Sequence, residues 1–175
     1  MNYVIMGIDR IGKNTFIQTC LPDHEEIHLS KPPAGVDPLM FTKASYADYF
    51  INLKKSDNIV YNRGHIDEFV YGPIYRNQNT YWLKIYEQEF ADVLDNTCFI
   101  LLLSKNFDVM EDDGNSLDYS KREEEQILFE KHFDESPFKH KIKIYTIDEN
   151  GYRDPNLIHA DFLSKDFTAF KKFIN

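Results

Sequence analysis

The chain opens with an apolar run, Tyr3-Val4-Ile5-Met6, and four more runs follow it: Ile27-His28-Leu29, Ile59-Val60-Tyr61, 98–103 and 142–147. Short unbroken apolar runs are the pattern of strands buried on both faces, as in a parallel sheet with helices above and below. The stretches at about 15–20, 42–54, 67–72, 80–95, 120–134 and 156–173 mix apolar and charged positions in a way compatible with helices. The pattern predicts an α/β fold, an open parallel sheet of about five strands flanked by helices, in one domain over 1–175. In such a sheet a ligand sits at the carboxyl ends of the strands. Pro32-Pro33, Gly35 and Pro38 mark a loop after the second strand, and no repeat or low-complexity tract interrupts the chain.

Directly behind the first strand comes Gly7-Ile8-Asp9-Arg10-Ile11-Gly12-Lys13-Asn14-Thr15. A strand that breaks into a two-glycine loop and then starts a helix aims several backbone N–H groups and the positive helix end at one point, and Lys13 reaches the outer phosphates of a nucleotide. Gly7, Asp9, Arg10, Ile11, Gly12, Lys13, Asn14 and Thr15 are therefore the candidate ATP-binding residues. A phosphate-binding loop of this kind has Ser or Thr after the lysine, where the hydroxyl binds Mg²⁺. Here Asn14 stands in that place, with Thr15 one position later. An amide oxygen also ligates a hard cation, so Asn14 is the candidate metal residue, although a neutral donor adds little charge stabilisation.

Composition narrows the partners. Lys plus Arg total 20 against 29 Asp plus Glu, and the net charge of −9 disfavours a sequence-independent grip on a nucleic acid backbone. The longest strongly apolar run, 99–103, is far too short to cross a bilayer. Cys20 and Cys98 lie in or beside apolar runs and read as buried thiols, which favours a reducing compartment. With the first strand starting at Tyr3, no targeting segment fits ahead of it, and the expectation is a cytoplasmic protein.

A second constellation follows the third strand: Asn62-Arg63-Gly64-His65-Ile66-Asp67-Glu68-Phe69-Val70-Tyr71-Gly72-Pro73-Ile74-Tyr75-Arg76. The chain has only five arginines, yet two flank this segment, and a guanidinium at a strand's carboxyl end can fork onto phosphate oxygens. The alternative for Arg63 is a surface ion pair with Asp67 or Glu68. The acidic stretch 111–116 also has two readings. Its composition is that of a solvated loop; its position, ahead of a helix opened by Lys121-Arg122, is where a nucleotide kinase has the mobile lid whose basic residues close over the transferring phosphate. The lid would cover about 105–122, with Arg122 as its catalytic cation.

Together, the loop 7–15 and the segment 62–76 resemble thymidylate kinases of the P-loop nucleoside monophosphate kinase family, including the thymidylate-kinase-like proteins of large phages. Asp9 matches an Asp at the loop's third position, and Tyr71 matches an aromatic eight residues after a strand-ending Arg, here Arg63. The resemblance implies a P-loop NTPase-type fold and transfer of the ATP γ-phosphate, with Mg²⁺, to a pyrimidine deoxynucleotide such as dTMP. Lys13, Arg63 and Arg122 would be the catalytic cations. Asp9 would orient the deoxyribose 3′-hydroxyl, Arg63 would grip the acceptor phosphate and Tyr71 would exclude a ribose 2′-hydroxyl. Lys31, Phe41, Asp67 and Arg76 complete the candidate substrate-binding set, and such enzymes are usually homodimers of the cytoplasm, here the host's if the chain is of phage origin. Phosphoryl transfer asks little covalent work of the protein, so cations around the moving phosphate supply most of the rate.

Departures from that pattern are specific. Asn62 replaces the family's Asp, Asp67 stands where Ser is usual, and no Arg lies between Arg10 and Arg63, leaving Lys31 and Lys43 as substitutes. Two other functions follow from them. One is a kinase whose acceptor is the hydroxyl of a 5-hydroxymethyl pyrimidine, where His65, Asp67 or Glu68 would serve as base. The other is a nucleotide-binding protein with weak catalysis. Phe41, Tyr46, Tyr49 and Phe50 are base-stacking candidates at a spacing that suits core packing equally well.

Overall fold

The structure is a computed structural model that describes residues 1–110 and 118–165. The sheet is centred on β1 (Asn2–Met6) and β4 (Thr97–Ser104), whose residues are almost all buried. Parallel pairing runs outward from β1 to β3 (Ile59–Asn62) and then β2 (Glu25–His28), and from β4 to β5 (Lys141–Asp148). The spatial order is β2-β3-β1-β4-β5-β6. Because chain order reverses beside β1, the carboxyl end of β1 opens on the crevice where α/β sheets bind ligands.

Six helices pack on the two faces among the described residues: α1 (Lys13–Cys20), α2 (Pro38–Lys55), α3 (His65–Arg76), α4 (Trp82–Phe90), α5 (Arg122–Glu135) and α6 (Pro155–Ser164). Their starts follow local chemistry. Asp37 and Asp154 each accept a first-turn N–H with a proline at the next position, a pairing that presets the helical φ. Lys54 and Lys55 close α2 where the helix dipole favours cations.

All five expected strands form, and a sixth, β6 (Gly151–Tyr152), folds back antiparallel on β5. Two residues carry no apolar run, so this hairpin left no signal in the pattern. The second strand covers Glu25–His28 rather than 27–29, because an edge strand with a solvated face need not be apolar. Tyr46, Tyr49 and Phe50 are buried core residues of α2. Both cysteines are buried free thiols. No helix among the described residues is long and apolar enough to cross a membrane. Residues 111–117 of the expected lid lie outside the described residues, as does the end of the expected last helix beyond 165.

Candidate functional site

The chain leaves β1 through Gly7, at φ 137°, where a Cβ would stand 2.7 Å from the Leu102 carbonyl oxygen. Only glycine fits that path. Arg10 follows at φ 67° and Gly12 at φ 90°, so the loop returns to start α1 at Lys13. The start of α1 has no side-chain cap and no acidic residue in its first turn. Its first backbone N–H groups and the positive helix end therefore converge on open space, the physical basis of an anion site.

Lys13 is buried, and its ammonium donates to the carbonyls of Gly7 at 2.7 Å and Ile8 at 2.8 Å, closing the loop on itself. Burial pulls its pKa down to about 8, against the opposing pull of the Asp67 charge. From the far side, Thr146 sits at the irregularity where Leu103 and Ser104 pair with Tyr145 and Ile147. Its hydroxyl donates to the Ile11 carbonyl at 2.6 Å.

The opposite wall comes from β3 and α3. Arg63 has φ 91°, a costly conformation for a residue with a side chain, and its N–H donates to the Ile5 carbonyl at 2.9 Å. That backbone turn brings the guanidinium within 2.7 Å of Asp9 Oδ1 and 6.0 Å of the Tyr71 ring. The Arg63–Asp9 pair is the ion pair formed here, in place of one to Asp67 or Glu68. Asp67 turns back to accept the Gly64 N–H at 2.8 Å, and burial raises its pKa to about 6 against the charges of Lys13 and Arg63. Glu68 holds Arg76 at 2.6 Å. Asp67 Oδ1, Glu68 Oε1 and the Tyr71 hydroxyl are buried without a hydrogen-bond partner among the described residues. Each such atom costs on the order of 1–3 kcal/mol, so three on consecutive turns of one helix mark a place organised for something other than stability.

Three cavities surround this arrangement. A polar one of about 470 Å³ brings together Asp9, Arg10, Gly12, Lys13, Asn14, Thr15 and Arg63. An apolar one of about 300 Å³ lies against the other side of the loop, between α1 and α6, with Phe16, Tyr152, Pro155 and Ile158 in its walls. A third, of about 190 Å³, is lined by Lys31, Tyr46, Glu68 and Arg76.

Three expected site residues stand elsewhere. Phe41 borders none of these three cavities. Arg122 is buried, donating to the Met110 carbonyl at 3.0 Å with its guanidinium 3.6 Å from the Tyr119 ring, and these partners hold the charged group inside. His65 is fully buried, with Nε2 3.0 Å from Glu87 Oε1 and Nδ1 3.3 Å from the Tyr49 hydroxyl.

Sequence reasoning missed Glu26 and His28. Two residues apart on β2, they share one face of the strand, and that face turns towards α1. Asn62 Nδ2 donates to both Asn14 Oδ1 and Glu26 Oε1, each at 2.8 Å, and His28 Nε2 lies 3.0 Å from Glu26 Oε1. A period of two over Glu26 and His28 was the available signal, but without a register it names no partner.

Sheet order, loop and helix start define a protein of the P-loop NTPase-type fold. Among solved structures the chain is similar to the YorR protein of Bacillus subtilis, whose crystal structure is in complex with phosphorylated GDP; the two share 13% identity and a TM-score of 0.62 over 98% of this chain and 96% of that one. No protein-family model and no curated protein matches the chain.

Proposed function

We propose that the protein is an ATP-dependent kinase of deoxynucleoside monophosphates, moving the γ-phosphoryl group onto the phosphate of a small nucleotide. The observation that carries this reading is the arrangement of two further cavities about one phosphate pocket. Transfer between two nucleotides needs a phosphate centre reached from two sides, each side with room for a nucleoside. The apolar cavity beside α6 suits the donor base, with Tyr152 and Pro155 offering flat apolar surface. The cavity with Lys31, Glu68 and Arg76 suits the acceptor, since a carboxylate and a guanidinium present both acceptors and donors to a base edge.

Within the phosphate pocket Lys13, the α1 N-terminus and Arg63 supply the positive charge. Lys13 must exchange its bonds to Gly7 and Ile8 for phosphate oxygens, and Arg63 must leave Asp9, which frees Asp9 for a sugar hydroxyl. The likeness to YorR, a protein crystallised with phosphorylated GDP, is in keeping with nucleotide binding. Asp67 Oδ2 holds the Gly64 N–H while Oδ1 has no hydrogen-bond partner among the described residues, so an acceptor with a hydroxyl in place of a phosphate would find its base there, and the acceptor panel tests for it. The test is ADP release with ATP and Mg²⁺ over dTMP, dUMP, dCMP, dGMP, dAMP, 5-hydroxymethyl-dUMP and hydroxymethyluracil-containing DNA. Turnover with one monophosphate is the expected result; ADP release only with a hydroxymethyl acceptor, or with none, overturns it.

A further inference from the structure

The third cavity holds a charge pair whose layout follows from one stripe of α3. Glu68, Gly72 and Arg76 stand four residues apart and so share a face of the helix. Gly72 puts no side chain between the other two, and the pair closes over two turns, Arg76 Nη2 donating to Glu68 Oε2 at 2.6 Å. A Cβ at Gly72 would stand 3.0 Å from Glu68 Oε1 and 2.7 Å from Thr80 Cγ2, so a side chain there would displace the carboxylate. The pair is lopsided: the Glu68 side chain is 9% exposed and that of Arg76 39%. Glu68 Oε1 is buried with no hydrogen-bond partner among the described residues. Arg76 Nε reaches Gln78 Oε1 at 3.4 Å, and Nη1 has no partner among the described residues. Both members of the pair line the cavity, together with Tyr46, whose hydroxyl is tied to the Gly64 carbonyl at 3.1 Å. A buried carboxylate with one oxygen unmet, beside a guanidinium with donors to spare, is half of a recognition surface.

We propose that Glu68 and Arg76 select cytosine as the acceptor base, so that the monophosphate taken is dCMP. The inference rests on the kinase reading above and names the acceptor for it. What the pair leaves unmet is one carboxylate oxygen and, beside it, guanidinium N–H groups in a planar fork. The complementary edge is a donor followed by two acceptors, and cytosine has it: the 4-amino group meets Glu68, while N3 and O2 meet Arg76. Uracil and thymine present carbonyl, N–H, carbonyl, which sets an oxygen against the carboxylate or an N–H against the guanidinium. Guanine satisfies Arg76 with its one carbonyl and leaves two donors for one free oxygen, and adenine has no third group on that edge. The cavity, at about 190 Å³, is smaller than the roughly 300–1,000 Å³ of sites for drug-sized ligands, so it suits one small base with sugar and phosphate outside. The last torsion of a glutamate is broad and two-fold, so the carboxylate can turn its free oxygen to the base while the other stays with Arg76.

The test compares dCMP with dUMP, which differ only at this edge, with dTMP, dGMP and dAMP as further arms. Rates of ADP release give kcat/KM for each, and calorimetry gives the affinity of each without turnover. Wild type should prefer dCMP to dUMP by about 100-fold or more, since a buried polar group left unpaired by the wrong base is heavily penalised. Glu68→Gln offers an amide N–H to the uracil O4, and the ratio should move roughly tenfold or more towards dUMP. Arg76→Lys keeps the charge without the fork and should narrow the same ratio. Because two acceptors are compared on one protein, a general loss of activity cancels. A wild-type preference for another monophosphate, or an unchanged ratio in Glu68→Gln, overturns the base assignment while the kinase reading stands. Selective dCMP binding without ADP release keeps the base site and removes the kinase reading. A folded protein that binds no monophosphate removes both.

Discussion

On one side of the phosphate pocket residues 7–12 are positioned by their own backbone, through two glycines with positive φ and the ammonium of Lys13 tying down two carbonyls. On the other side Asn62 is held to Asn14 and Glu26, and Arg63 to Asp9, through side-chain bonds that join β2, β3, α1 and the loop. The backbone-built wall has no room for an added atom at Gly7, where a Cβ would meet the Leu102 carbonyl oxygen. The side-chain-built wall tolerates shape changes and depends on charge.

That contrast is most easily broken at Gly7. Gly7→Ala combines a φ of 137° with a carbonyl oxygen 2.7 Å from the new methyl, and should cost about 3–5 kcal/mol in urea denaturation. Gly12→Ala adds a methyl with nothing within 4 Å, so only the cost of φ 90° remains, about 1–2 kcal/mol. Equal costs for the two would mean that the Leu102 contact does not constrain the loop.

Charge on the opposite wall predicts a pH dependence of intermediate size. Asp67 titrates at about 6 in the fold against 3.8 when free, so its contribution to stability is fully present below the free value and is lost as pH rises to about 6. The loss is on the order of 3 kcal/mol. Asp67→Asn retains an oxygen for the Gly64 N–H and should flatten this part of the stability profile. Lys13 has the opposite sign: its stabilising share is present above 10.5 and is lost as pH falls to about 8. Removing the Asp67 charge should carry that limb to lower pH, since it opposes the lowering of Lys13. A wild-type profile flat from pH 4 to 6 would show that Asp67 is not held in a desolvated place.

The smallest change in stability is expected at Arg63→Lys. The pair with Asp9 is half-exposed, at 46% and 25%, and its loss should cost roughly 0–1 kcal/mol. Acceptor kcat/KM should nevertheless fall steeply with ATP affinity preserved, because a lysine lacks the planar fork. Unchanged acceptor kinetics would reduce Arg63 to a surface ion pair.

The same division explains what could be read from the residues alone. Strands 3–6 and 98–103 and the loop 7–15 were legible because burial on both faces and positive φ each select residue types locally. Lys31 and Arg76 could be named as substrate candidates, but not as neighbours in one cavity. Glu26 was invisible as a partner of Asn62, since their adjacency exists only through the β2–β3 register that sets His28 against Asn62. Arg122 could be named as a cation at the start of a helix, but where its guanidinium goes is decided by the Met110 carbonyl and the Tyr119 ring, which only the packing brings to it.

The hydroxyl of Thr146 reaches the Ile11 carbonyl across 135 positions of sequence. Loop closure over such a separation is among the slowest entropic demands on a folding chain. The phosphate loop is encoded far upstream of β5 in the chain, yet its final shape waits for that strand to dock beside β4. A nascent or truncated chain ending before Thr146 would carry the whole motif without the fastening that sets it, and ligand capture would then appear late, with the closing of the sheet.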